Sequence, residues 1–337
     1  MKNIYNLFRI ASRIRSQRLK LLGIYFLHMT RQRYLGVFID PILACNFRCR
    51  MCYFSDGEKR KTLKGSLAFQ DIEAISKSLY HRALKLQIGC GAEPTLYKDL
   101  YKVVALGKQY KVPYISLTTN GNILTYESLY KLVATGLDEL TLSMHGVKKD
   151  TYEYMMVNGK YEKFCALIDA TIKVKQQYPG FKLRINYTMN GDNVEELSQL
   201  FNIFPDLPVD ILQLRPIQHI GNTVYSNYSL EKLFSYFESV IRPLHDECVR
   251  RGIICISPTK ENLNVLQSKE TSDMISDVTY CYISPDICWK EDFDYRTQNF
   301  EQYSRKHHLG WSLIKKICLP FKRTKVNKTR KMNYTVE

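Results

Sequence analysis

The sequence predicts an α/β fold: a partial (β/α)6 TIM-like barrel, with a helical segment before it and an irregular extension after it. Three observations predict this. Six short apolar, strand-like runs alternate with five amphipathic helical patterns between residues 37 and 214, and such alternation implies a parallel sheet with right-handed crossovers. Three cysteines crowd into the turn after the first run, at the strand end where such barrels place their chemistry. The rhythm stops near residue 225. The expected divisions are a basic amphipathic segment (1–36), the barrel (37–225), an extension capping the barrel (226–318) and a basic, mobile tail (319–337).

Residues 4–29 read as helix. Ile4, Leu7, Phe8, Ala11, Leu22, Tyr25, Phe26 and Met29 share a stripe at helical spacing, interrupted by Arg15 and Arg18 and weakened by Gly23. The stripe suits packing on the body, the commoner fate, or resting on an anionic membrane face. The strand-like runs follow at Val37–Leu43, Leu86–Ile88, Tyr114–Leu117, Glu139–Leu142, Leu183–Tyr187 and Asp210–Leu214. Helical patterns lie near 68–82, 97–110, 126–135, 160–177 and 192–203. A long helix is expected over 229–251, then a short apolar run at Ile253–Ile256, then an irregular, aromatic stretch containing "YCYISPDICWKEDFDY". Its aromatics (Tyr280, Tyr282, Trp289, Phe293, Tyr295, Phe300, Tyr303, Trp311) are expected to cover the open side of the barrel.

A chain of 337 residues, 45% of them hydrophobic, buries a large core. The net charge of +16 is uneven. Residues 1–36 carry +8 with no acid, and residues 305–337 carry +9, so the stretch between them stands at −1. A neutral body argues against a basic nucleic-acid groove within it. The basic ends suit an anionic partner, a membrane surface among them. No apolar run reaches the roughly 18–20 residues of a membrane span. Ten cysteines are too sparse for a disulfide scaffold, no secretory leader precedes them, and their clustering at residues 45–52 points to a reducing compartment with a metal or cluster site. The expected location is cytoplasmic, with peripheral contact at the inner membrane face left open.

The cluster of thiols is "ACNFRCRMCY", residues 44–53, spaced C-x3-C-x2-C. Interleaved Asn46, Arg48 and Arg50 exclude a buried apolar segment. A closed structural zinc site wants four ligands in two close pairs, and the nearest later cysteine, Cys90, stands alone. Three thiolates on a tight turn favour an iron–sulfur cluster with one iron open, with zinc as the competing assignment. One strand later comes "GCGAEPTL", residues 89–96. Its glycines let the backbone approach a ligand, its proline fixes the turn, and its carboxylate could meet a cationic group.

"CNFRCRMC" followed by "GAEP" resembles the radical S-adenosylmethionine (SAM) superfamily over about residues 37–220. The resemblance implies that Cys45, Cys49 and Cys52 hold three irons of a [4Fe–4S] cluster, with the fourth iron chelated by the amino and carboxylate groups of SAM. It implies that Gly91, Ala92, Glu93 and Pro94 form the turn that meets the methionine amino group, with alanine in place of the family's second glycine. Ser143, ending the fourth strand, and Asn186, in the fifth, are implied contacts to ribose and carboxylate. "TTNG" at 118–121 matches a recurrent strand-end turn. Met51 replaces the aromatic residue often found before the third cysteine, and Tyr53 follows that cysteine as an adenine contact. The implied chemistry is one-electron cleavage of SAM to a 5′-deoxyadenosyl radical that abstracts hydrogen, fed by a flavodoxin or ferredoxin-like reductant.

The substrate is less legible: a peptide, glycan or small metabolite, or alternatively RNA gripped by the basic ends. A zinc-stabilised, non-enzymatic module would leave "GAEP" and the strand rhythm as coincidence. Cys255, Cys281, Cys288 and Cys318 lack the close pairs of a second cluster, and the pattern argues against one. No cobalamin domain precedes the barrel, and the C-terminal GTP-site features of a molybdenum-cofactor synthase are not evident. Arg215 and His219, in "LRPIQHIGN", are expected at the barrel mouth. There Arg215 could meet a phosphate or carboxylate and His219 could act as acid or base. His145 is expected to be polar lining, and the pair His307-His308 to be surface.

Overall fold

Among the described residues nine strands form one sheet in the order β7-β6-β5-β4-β3-β2-β1-β8-β9, parallel throughout except for the last pair. They are β1 (Leu35–Ile39), β2 (Ala83–Ile88), β3 (Tyr114–Thr119), β4 (Glu139–Ser143), β5 (Lys182–Met189), β6 (Ile211–Pro216), β7 (Ile254–Ile256), β8 (Tyr280–Ser284) and β9 (Ile287–Cys288). The computed structural model describes residues 14, 16–261, 263 and 274–319. The expected helix over 4–13 and the expected mobile tail beyond 319 lie outside them.

The first six strands run in chain order, as the sequence predicts, and the sheet is open. β1 ends earlier than expected because Pro41 follows Asp40 and cannot donate to a ladder. Strand residues such as Val37, Leu86, Leu117, Leu140, Ile185 and Leu212 are fully buried, the signature of a parallel sheet covered on both faces. The covering helices are Phe69–Leu79, Leu100–Gln109, Tyr126–Thr135 and Tyr161–Gln177. The expected helix near 192–203 is instead a tight turn, Glu195–Gln199, and a short helix, Leu200–Ile203. The expected 229–251 helix is interrupted by a wide turn at Phe237–Ile241. Pro243 follows that turn and removes an amide from the helical ladder.

The extension departs most from expectation. Residues 226–318 widen the sheet at both edges. β7 adds beside β6, and β8 adds beside β1 in parallel register, Val37 opposite Cys281 and Ile39 opposite Ile283. Four of the aromatics gather at the N-terminal ends of β1 and β2, while Tyr282 reaches Asp40 at the other end of β1. Trp289, Phe293, Phe300 and Tyr303 stack on one another there. Beside them Arg82 is fully buried. Its guanidinium lies 5.2 Å from the Tyr34 ring and 5.1 Å from the Phe300 ring, and it meets Glu301 at 3.3 Å. An aromatic floor around a buried cation answers the same need as a lid, since apolar rings must leave water somewhere.

The helix Gln17–Met29 is capped by Ser16 and rests on this floor through Leu21, Ile24 and His28. His28 is held by the Tyr34 hydroxyl at 2.9 Å, and its carbonyl accepts from Arg82 at 3.0 Å. The helix Leu309–Cys318 packs beside it, with Gly310 against His28 and Met29. Among the described residues no helix is long and apolar enough to cross a membrane.

Candidate active site

One cavity opens at the C-terminal strand ends. Its lining includes Cys45, Cys49, Cys52, Gly91, Ala92, Glu93, Ser143, Asn186 and Arg215, so residues spread over 170 positions of sequence meet there. The parallel topology explains the convergence, because every strand delivers its following loop to the same edge.

Short hydrogen bonds lock the cysteine loop to its neighbours. The Glu93 amide donates to the Ala44 carbonyl at 2.8 Å, and the Asn120 amide side chain donates to Asn46 Oδ1 at 2.8 Å. Arg48 donates to the carbonyls of Cys45 and Phe47 at 2.7 and 2.6 Å, which fixes the curl between the first two cysteines. Burial pushes the Cys45 thiol up to about 12 and raises Cys49 and Cys52 as well. Negative charge on the neighbouring cysteines raises Cys49 further. Such thiols stay protonated until a cation compensates them. Among the described residues no three His, Cys, Asp or Glu side chains converge on a single-ion site. The three thiols line one cavity, and thiolates so placed are the ligand type that holds the irons of a cluster.

The turn after β2 is built around Asp40, which sequence reasoning did not single out. Its fully buried carboxylate accepts from the Cys90 amide at 2.7 Å, the Gly91 amide at 3.0 Å and the Tyr282 hydroxyl at 2.7 Å. Burial raises its pKa against the pull of these donors. Tyr53 donates to the Gly91 carbonyl at 2.5 Å, and a Cβ on Gly91 would lie 2.4 Å from that hydroxyl. Gly89 has φ of +82° and faces the Thr118 carbonyl, so glycine is required there too. Glu93 accepts from Thr95, Thr119 and the Asn120 amide at 2.5, 2.6 and 2.8 Å. Its carboxylate therefore braces the β2 and β3 turns against each other.

Ser143 and Asn186 sit opposite each other in the β4–β5 register and both line the cavity. Asn186 is buried, and its side-chain oxygen has no hydrogen-bond partner. An orphaned acceptor at a cavity wall is costly unless a ligand supplies a donor. His145 Nδ1 accepts from the Thr188 amide at 3.2 Å. Burial lowers its pKa to about 4, with Arg215 adding to the effect, so the ring is neutral and carries its proton on Nε2. Met51 lines the cavity and accepts from Asn190 at 3.4 Å.

His219 is not brought to the site. Arg215, Pro216, Ile217, Gln218 and Ile220 line the cavity while His219, past the end of β6, is exposed. Of the other cysteines, Cys90 lines the cavity, Cys165 lies on the helix Tyr161–Gln177, Cys248 neighbours Cys255 near β7, and Cys281 neighbours Cys288 in the β8–β9 hairpin. Cys318 is exposed.

The family model for the Radical SAM superfamily matches residues 39–204. A probable GTP 3′,8-cyclase of Saccharolobus solfataricus is 27% identical over 201 residues, which cover 58% of this chain and 62% of that protein. Molybdenum cofactor biosynthesis protein 1 of Drosophila melanogaster is 26% identical over 198 residues, 58% of this chain and 33% of that protein. Among solved structures, Streptococcus suis SuiB bound to S-adenosylmethionine superposes with a TM-score of 0.58 at 17% identity, covering 75% of this chain and 59% of that one. The match thus spans under two thirds of the length of these relatives, and the SuiB likeness speaks for the fold alone. The cysteine loop and the turn after β2 both lie inside the matched segment, so residues 39–204 carry a radical SAM domain.

Proposed function

We propose that Cys45, Cys49 and Cys52 each hold one iron of a [4Fe–4S] cluster, and that SAM binds between the open iron and the turn at Gly91–Pro94. Bound together, these groups supply a 5′-deoxyadenosyl radical when a flavodoxin or ferredoxin-like donor delivers an electron. The single observation that carries the reading is the shared cavity: three thiols, the braced turn, Ser143 and the orphaned Asn186 oxygen face one space. The chain's own residues do the positioning. Asp40 and Tyr53 set the turn, the Asn186 oxygen awaits a ribose hydroxyl or the ammonium group, and Phe47, Met51 and Ile217 keep water from the wall.

For the substrate we propose a small anionic metabolite of the nucleotide class. Arg215 lines the mouth. A neighbouring hollow is lined by Arg48, Arg50, Ser55, Asn222 and Thr223, with no carboxylate in its wall. Guanidinium groups of this kind recognise phosphate. The cyclase relatives point the same way, although the match covers 58% of the chain.

The test is anaerobic reconstitution with iron and sulfide, then dithionite and SAM. Wild type releases 5′-deoxyadenosine and C49A does not; equal release by both refutes the cluster assignment. Adding GTP, GDP and guanosine separates the substrate reading: phosphates should tighten binding stepwise, and equal binding of all three refutes it.

A further inference from the structure

We propose that the two-helix face at the N-terminal end of the sheet docks the enzyme on an anionic membrane surface, with the active-site mouth turned toward water. The sequence stripe is the starting point. In the described helix, Leu22, Phe26 and Met29 belong to that stripe, and they do not face the body; Leu21, Ile24 and His28 do. Leu19, Leu22, Phe26 and Met29 are 59%, 50%, 66% and 59% exposed. At helical spacing these four fall on the side opposite the buried three. The helix therefore has two apolar faces, one satisfied by the aromatic floor and one open.

The neighbouring helix Leu309–Cys318 repeats the arrangement. Leu313 is buried, while Trp311 is 57% exposed with Lys315 over its ring at 5.8 Å. Leu319, just past its end, is also 57% exposed. Gly310 lies against Met29, so the open residues of the two helices form one surface.

Charge selects the occupant. Residues 1–36 hold eight basic and no acidic residues, and residues 305–337 carry +9. The two helices are thus drawn from the basic ends of the sequence, while the stretch between them is neutral. Exposed Phe, Leu and Trp bordered by Lys and Arg match the headgroup boundary of an anionic bilayer, where apolar burial and counter-charge add. A protein partner or a second copy of this chain would have to offer matching negative charge, and residues 37–304 sum to only −1. The helix is anchored by Tyr34 and Arg82, which precede β1 and β2. The patch therefore lies at the sheet end away from the cavity, and docking leaves the mouth open to a water-borne substrate.

The test is co-sedimentation of the full chain with phosphatidylcholine vesicles, with and without phosphatidylglycerol. Anionic vesicles should bind the protein at least about tenfold more tightly, and the preference should fade as salt rises toward about 0.5 M. F26E and W311E should each weaken vesicle binding about tenfold while 5′-deoxyadenosine release is unchanged. L22S, a milder change on the same face, should weaken it less. Equal binding to neutral and anionic vesicles refutes the proposal. So does wild-type affinity in all three variants, or a wild-type dimer that F26E converts to monomer without changing vesicle binding.

Discussion

Tyr282 on β8 donates a 2.7 Å hydrogen bond to Asp40 at the end of β1, joining residues 242 positions apart. The same carboxylate receives the amides of Cys90 and Gly91, so the C-terminal extension reaches the turn proposed for SAM through a single side chain. D40N keeps the shape but points an amide NH2 at these donors. It should destabilise the fold by about 1–3 kcal/mol and weaken SAM binding. Y282F removes one donor and should cost about 1 kcal/mol with a smaller loss of binding. Denaturant titration and equilibrium dialysis with SAM check both; D40N binding SAM as wild type would remove Asp40 from this role.

G91A should impair SAM cleavage without unfolding the protein, because the new methyl would press on the Tyr53 hydroxyl at 2.4 Å. Displacing the turn by a fraction of that distance is expected to cost about 10- to 100-fold in rate. Y53F in the same chain removes the obstructing oxygen and should recover part of the loss. Product release measured for both single variants and the double variant decides it: no recovery means that the clash is not the cause.

His145 makes stability depend on pH. Its folded pKa is lowered from 6.5 to about 4 by burial, so the unfolded chain takes up the proton first. Its contribution is complete above pH 6.5 and is lost as pH falls toward 4, with a slope of up to about 1.4 kcal/mol per pH unit. H145N should flatten that segment of the profile in chemical denaturation, and an unchanged slope would assign it to other groups.

Arg82 and Glu301 form an ion pair in which the arginine is fully buried and the glutamate is partly exposed. E301Q leaves that cation uncompensated and should cost about 3 kcal/mol, the low end for a buried pair. R82M in the E301Q background should recover part of it, since an apolar side chain between Tyr34 and Phe300 needs no counter-charge. Additive losses in the double-mutant cycle would show the pair is not coupled.

What the sequence made legible was local. The three thiols fall within eight residues, and the turn after β2 follows its strand directly, so both could be read and placed on one face. The first six strands were visible as short apolar-rich runs alternating with helical patterns. β8 was not: Tyr280 and Tyr282 are half-buried, Cys281 and Ile283 are its only buried apolar residues, and Pro285-Asp286 reads as a turn. Asp40 was missed because its partners come from β8 and from the β2 turn, distances that no periodicity reports. The N-terminal stripe was seen, but periodicity does not say which of two apolar faces the body claims. His219 was placed inward by proximity to β6, but it lies past the strand end in irregular chain and is exposed.

The most direct measurement is electron paramagnetic resonance of the anaerobically reconstituted, dithionite-reduced protein, with and without SAM. The account predicts the signal of one reduced [4Fe–4S]⁺ cluster per chain, altered by SAM and absent in C49A. A wild-type protein with no cluster signal, or with one that SAM leaves unchanged, would contradict it.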